Sequence, residues 1–171
     1  EGAVLIAAPA RAGENVRPAG EDLRAGDVAV PAGAVLGPGQ VEICAAVGEA
    51  EPLVFPRARV AVLSTGDELV EASAPAGPWR VRDANGPALC AAVAAAGGEP
   101  FGPSLGRDDP DDLARRLEEA LSLDAVVVSG GASVGDRDSV RDGLRALGCE
   151  FLVEKVAMKP GKPFAFGLCR G

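Results

Sequence analysis

Residues 125–138 read Ala125-Val126-Val127-Val128-Ser129-Gly130-Gly131-Ala132-Ser133-Val134-Gly135-Asp136-Arg137-Asp138, and this stretch decides the fold. A short, unbroken β-branched run is the pattern of a strand buried on both faces of a parallel sheet, so 125–128 is predicted as the central strand. The glycine-rich turn behind it leads into Val140, Leu144 and Leu147 at helical spacing, with Gly148 as the stop. Moving upstream, Asp109 with Pro110 behind it predicts a capped helix whose Leu113, Leu117 and Leu121 form the buried face. The proline-containing 100–105 run before it reads as a weaker strand near a sheet edge. Asn85 is a predicted cap for a helix through Ala96, stopped by Gly97-Gly98, and Val60-Ala61-Val62-Leu63 is another buried strand. Downstream, strands are predicted at 151–153 and 164–166. Alternation of strands and helices implies right-handed crossovers. Residues 57–171 are therefore read as an α/β domain, a mostly parallel sheet with helices on both faces.

Residues 1–56 have a different rhythm. Val4-Leu5-Ile6-Ala7-Ala8, Asp27-Val28-Ala29-Val30 and Leu53-Val54-Phe55 are short apolar runs punctuated by Gly and Pro, with one helix carrying Val41, Cys44 and Ala45 before Gly48. The expectation is a small β-rich module.

Composition excludes several classes of chemistry. The 171 residues contain no histidine, which removes Ser-His-Asp triads, His-activated cysteines and His-ligated metals. Seventeen Lys+Arg against 25 Asp+Glu give a net charge of −8, so neither nucleic acid nor an anionic membrane is an expected partner. With 47% hydrophobic residues the chain has ample core, yet no apolar run approaches the ~20 residues of a membrane span. The opening Glu1-Gly2-Ala3-Val4 lacks a cationic secretory region. Cys44, Cys90, Cys149 and Cys169 lack zinc-knuckle or redox spacing, and at least three are expected to be buried thiols of a reducing compartment. The expected location is the cytoplasm. A start without Met and an end just after a strand-like run are read as signs of a piece of something longer.

In an open parallel sheet, ligands bind beyond the carboxyl ends of the strands. Three such loops are polar: Ser64-Thr65-Gly66-Asp67-Glu68, Gly106-Arg107-Asp108-Asp109 and Ser129 through Asp138. The glycines of the last, Gly130, Gly131 and Gly135, allow close backbone approach. Its amides, Ser129, Ser133 and the helix start beyond suit a phosphate-like group. It is neither a Walker A loop nor a Rossmann fingerprint; the plainer alternative is a tight turn with a serine cap. Thr65, Gly66 and Asp67 complete the expected ligand-binding set. Glu68, Asp108 and Asp138, one from each loop, suit Mg²⁺, although aspartates here also serve as helix caps. Lys155, Lys159 and Lys162 flank Pro160-Gly161 as a local cationic arm, with a solvated turn as the alternative.

These motifs resemble the molybdopterin molybdotransferase family, also represented by one domain of gephyrin. The resemblance rests on Ser64-Thr65-Gly66-Asp67-Glu68-Leu69, Asp83-Ala84-Asn85, Arg107-Asp108-Asp109, Ser129-Gly130-Gly131 with Ser133-Val134-Gly135 and Asp138, and Met158-Lys159-Pro160-Gly161-Lys162-Pro163-Phe164. Upstream it extends to Gly13-Glu14-Asn15-Val16-Arg17 and Gly20-Glu21-Asp22. It implies binding of adenylylated molybdopterin, hydrolysis of its pyrophosphate link with Mg²⁺, and insertion of molybdate. Glu68, Asp108, Asp138, Lys155 and Lys159 match family positions implicated in activity, with Lys162 in the same motif. The resemblance also implies a homodimer for the full-length protein. The family's Asp-Gly-Tyr motif and its Gly-Leu-Pro-Gly-Asn-Pro segment are absent from this chain, which implies binding without certain turnover. Two competing expectations are a stand-alone molybdopterin adenylyltransferase and a non-catalytic binding or dimerisation module.

Overall fold

The structure is a computed structural model that describes residues 2–4, 8–130 and 138–169. It divides into two compact units, Glu1–Phe55 and Pro56–Gly171.

In the first unit, Pro38 opens helix α1, Pro38–Ala46, where its missing N–H costs nothing. Gly48, with φ +84°, ends it as the spacing predicts. A β-rich module is expected here, and the described residues of this unit contain no strand. The 27–30 and 53–55 runs lie in turns or unpaired chain, and most of 5–8 falls outside the described residues. Short apolar runs become strands only when a neighbour takes up their backbone groups, and none does so among the described residues.

The second unit holds the strands β1 (Arg59–Thr65), β2 (Leu69–Val70), β3 (Val81–Arg82), β4 (Glu99–Gly106), β5 (Ala125–Ser129), β6 (Cys149–Val153) and β7 (Phe166–Cys169). Its helices are α2 (Asn85–Ala95), α3 (Pro110–Leu121) and α4 (Ser139–Ala146). The main sheet is parallel, in the order β4-β1-β5. Side chains of β1 alternate between its faces. Leu63, 1% exposed, packs with Leu113 and Leu117 of α3 and Val140 of α4. Ser64 points to the other face, where its Oγ lies 3.1 Å from the place a Cβ on Gly86 of α2 would take. Helices thus cover both faces. Leu117 is completely buried, a contribution of about 1.5–3 kcal/mol over exposure. Asp109 caps α3 by accepting from the Asp112 N–H at 2.8 Å, with Pro110 behind it.

Three expectations are revised. The central strand is β1, and β5 is hydrogen-bonded to β1 alone among the described residues. An apolar run reports that both faces are covered but not which edges are paired, and β1 and β5 share that run type. The predicted strands near 151–153 and 164–166 become β6 and β7, an antiparallel pair outside the main sheet, with Phe164 and Ala165 left in the connection. Cys149 and Cys169 are joined in a disulfide, leaving Cys44 and Cys90 free. Twenty residues separate the paired cysteines, and the hairpin register that brings them together is invisible to sequence spacing.

Candidate functional site

The polar loops are placed by the strands that feed them. β1 runs out of apolar residues at Ser64 and Thr65, which remain buried at 1% and 4% exposure. Their hydroxyls have no hydrogen-bond partner among the described residues. A buried hydroxyl without a partner costs about 1–3 kcal/mol, so a strand end that carries two of them is suited to taking up a further polar group. Gly66 follows, its N–H donating to the Gly106 carbonyl at 3.2 Å, and the Glu68 carboxylate folds back over it. Asp67 accepts from the Asp108 N–H at 3.2 Å, which ties the loop after β1 to the loop after β4. Arg80 donates to the Asp67 carbonyl.

Beside these, Asp112 in the first turn of α3 accepts from Arg116, from the Arg107 N–H and from Arg115. The Arg116 bond above all, then the Arg107 N–H and Arg115, hold its carboxyl down at about 2.

At the end of β5, Gly130 has φ +107°, and a Cβ there would sit 2.2 Å from the Thr65 carbonyl oxygen. Only glycine lets the two strand ends come so close. Ser129 Oγ accepts from Asn85 Nδ2 at 2.9 Å, drawing α2 to the same end. Gly131, Ser133 and Gly135 lie outside the described residues. Where the chain resumes, Asp138 caps α4, accepting from the Arg141 N–H at 3.1 Å and pairing with Arg141 Nε at 2.8 Å. Its charge is directed to a helix and an arginine, the capping alternative that sequence left open.

Lys155, Lys159 and Lys162 are exposed on the segment joining β6 to β7. The Val156 N–H reaches back to the Lys162 carbonyl at 3.4 Å, so the Pro160-Gly161 turn does reverse the chain. None of the three forms a salt bridge among the described residues. A groove of about 830 Å³ runs between β5 and the β6–β7 hairpin, with Ser129, Gly130, Asp138 and Arg141 lining it beside Leu144 and Phe166.

Among the described residues, no group of three or more carboxylates or cysteines could hold a metal ion. The structure therefore brings the loops of Asp67, Glu68 and Asp108 together but not the three-carboxylate set of Glu68, Asp108 and Asp138. Residues that the sequence reading left out of the site are Ser64, Asp83 and Asn85. Asp83 is 5% exposed, spends Oδ1 on the Gly86 N–H at 2.9 Å, and leaves Oδ2 without a partner among the described residues. It takes the capping role predicted for Asn85. The signal was Asp83-Ala84-Asn85-Gly86 itself, two side-chain acceptors ahead of a glycine at a helix start.

The family model described as "Probable molybdopterin binding domain" matches residues 61–170, the greater part of the chain. The chain belongs to the molybdopterin-binding domain family. A second model, the MoeA N-terminal region (domain I and II), matches residues 1–48 ahead of this molybdopterin-binding domain. Curated relatives include a molybdopterin molybdenumtransferase of Nostoc sp., 38% identical over 94% of this chain and 37% of its own length. Molybdopterin molybdenumtransferase 1 of Mycobacterium tuberculosis is 41% identical over 96% of this chain and 38% of its own. The chain thus spans well under half the length of these relatives. Among solved structures, a molybdopterin biosynthesis MoeA protein from Pyrococcus horikosii superposes with a TM-score of 0.67 at 37% identity, covering 79% of this chain and 33% of the other. A second MoeA structure, described as from Pyrococcus horikoshii OT3, has a TM-score of 0.68 at 25% identity, over 86% of this chain.

Proposed function

We propose that this chain is the ligand-binding part of a molybdopterin molybdenumtransferase, which inserts molybdate into adenylylated molybdopterin and hydrolyses the adenylate. The observation that carries the reading is the meeting of the β1 and β5 ends at Thr65 and Gly130, where the Ser64 and Thr65 hydroxyls lie buried without partners among the described residues. In this reading Thr65, Gly66, Asp67, Ser129, Gly130, Gly131, Ser133 and Gly135 bind the ligand, with its phosphate end on the glycine-rich loop that begins at Gly130. Lys155, Lys159 and Lys162 neutralise its charge, which lowers the cost of adding water across the phosphorus–oxygen bond and releasing AMP. Glu68 and Asp108, on loops tied by the Asp67 bond, are the carboxylates left to hold Mg²⁺ with the ligand's own oxygens, since Asp138 is engaged by Arg141. The ion would polarise the bond being broken. Asp138 then acts through Arg141 at the groove.

The same reading assigns residues 57–171 as the binding domain and 1–56 as a separate module, supported by the division of the chain between Phe55 and Pro56. It places the full-length enzyme in the cytoplasm as a homodimer. No helix among the described residues is long and apolar enough to cross a membrane.

The test supplies adenylylated molybdopterin, Mg²⁺ and molybdate, and follows AMP release. Molybdate-dependent release supports the proposal. AMP transfer from ATP to molybdopterin points instead to an adenylyltransferase, and molybdopterin binding without turnover to a binding module.

A further inference from the structure

Cys149 opens β6 and Cys169 closes β7; they stand opposite each other in the antiparallel register, their Cα atoms 4.0 Å apart and their sulfurs bonded. Between the two strands lies the segment that carries Lys155, Lys159 and Lys162, the only lysines in the chain. The strands are anchored unequally. β6 docks on α4, where Arg145 donates to Glu154 Oε1 at 2.8 Å and lies 5.3 Å over the Phe151 ring. β7 has no ladder partner except β6 among the described residues, and the register between them shifts between Phe151 and Val153. A two-stranded hairpin alone is marginal in water, so the covalent bond at its open end holds what a third strand would otherwise hold.

We infer that Cys149–Cys169 is a reversible thiol–disulfide switch that sets the order of the lysine-bearing segment. Access favours one direction of attack, since Cys149 is buried at 7% and Cys169 is exposed. The thiolate of a low-molecular-weight thiol of the glutathione class bonds to Cys169 Sγ as the protein's sulfur–sulfur bond breaks. Cys149 leaves as a thiolate and takes a proton from water. A second external thiolate then attacks the external sulfur of the mixed disulfide, frees Cys169 and forms the external disulfide. Two electrons pass from the two external thiols to the protein, and the reverse sequence closes the bond. Burial, then the Asp83 carboxylate, push the Cys90 thiol up, which keeps it out of this exchange. Disulfides in reducing compartments are characteristically transient and redox-sensing, as such a switch requires. The inference goes beyond the proposed reaction; only its consequence for ligand affinity rests on the lysines gripping phosphate.

Lys159 and Lys162 precede prolines, which leaves Lys155–Val156 as the single bond open to a lysine-specific protease. The experiment poises the 171-residue chain in glutathione buffers of increasing reduced fraction, counts free thiols and times cleavage after Lys155. Two free thiols are expected when oxidised and all four when reduced. Cleavage should be about tenfold faster in the reduced form, as local opening becomes easier. Cys149→Ser and Cys169→Ser should cleave at the fast rate in every buffer, while an arginine-specific protease cuts after Arg115 and Arg116 of α3 equally in oxidised and reduced wild type. Four free thiols under oxidising conditions, or equal cleavage after Lys155 in the two forms, would overturn the inference. So would cleavage after Arg115 or Arg116 that rises in step with reduction, because the whole unit would then be loosening. No ligand takes part, so these outcomes are separate from those that judge the phosphate-binding role.

Discussion

Replacing Gly130 by alanine tests the geometry on which the site depends. The new Cβ would lie 2.2 Å from the Thr65 carbonyl oxygen and 2.7 Å from Thr65 Oγ1, with φ at +107°. Holding an L-residue in such a backbone conformation costs about 1–3 kcal/mol. Relieving a backbone overlap of this depth costs about as much again, in line with other overpacked sites. The expected loss is therefore at least about 2 kcal/mol, which at a urea m-value of about 2 kcal/mol/M lowers the unfolding midpoint by about 1 M. Gly148→Ala is the control, because its φ is +83° yet no atom lies within 4 Å of the added Cβ. It should show only the backbone cost of about 1–2 kcal/mol. Both are read by circular dichroism in urea. Equal midpoints for the two variants would refute the close approach of β1 and β5 ends at Gly130.

Leu117→Ala, at a completely buried position in the α3–α4 core, should cost about 2–5 kcal/mol by the same urea titration. Because the Asp112 carboxyl is held at about 2 against an ordinary 3.8, its contribution is present above 3.8 and is lost as pH falls from there toward 2. Asp112→Asn should accordingly lower stability at neutral pH and flatten the acid limb of Tm against pH; an unchanged limb would show that Arg107, Arg115 and Arg116 do not hold the carboxylate. Lys159→Ala should leave stability within ~0.5 kcal/mol, since the side chain is exposed. In calorimetric titrations with pyrophosphate at low salt it should weaken binding by about 1 kcal/mol or more, and unaltered affinity would return the segment to a solvated turn.

Much of the site was legible because strand ends are legible. The loss of apolar character at Ser64 and Ser129 located two carboxyl ends of a parallel sheet, and the topology rule then placed the loops together. The cap at Asp109 and the α3 face of Leu113 and Leu117 follow from spacing alone. Asp83 was harder to see as a candidate, because what singles it out is a buried oxygen without a partner among the described residues. Asp138 could be either a metal carboxylate or a cap, and its capping contact became visible only with Arg141 lying within reach.

Local order belongs to the sequence: a helix face, a cap or a buried strand is written within a few residues, where 3.6-residue and two-residue periods operate. From it came the α/β class of the second unit and the three polar loops. Pairing between distant segments belongs to the tertiary structure. That β1 and not β5 is central, that β6 and β7 leave the main sheet, that residues 1–55 hold no described strand, and that Cys149 meets Cys169 across 20 residues all depend on which backbone edges find each other. A one-dimensional pattern records which faces of a strand are apolar, whereas its edges carry the same N–H and C=O groups whatever the side chains, so edge partners are chosen only when the whole chain folds.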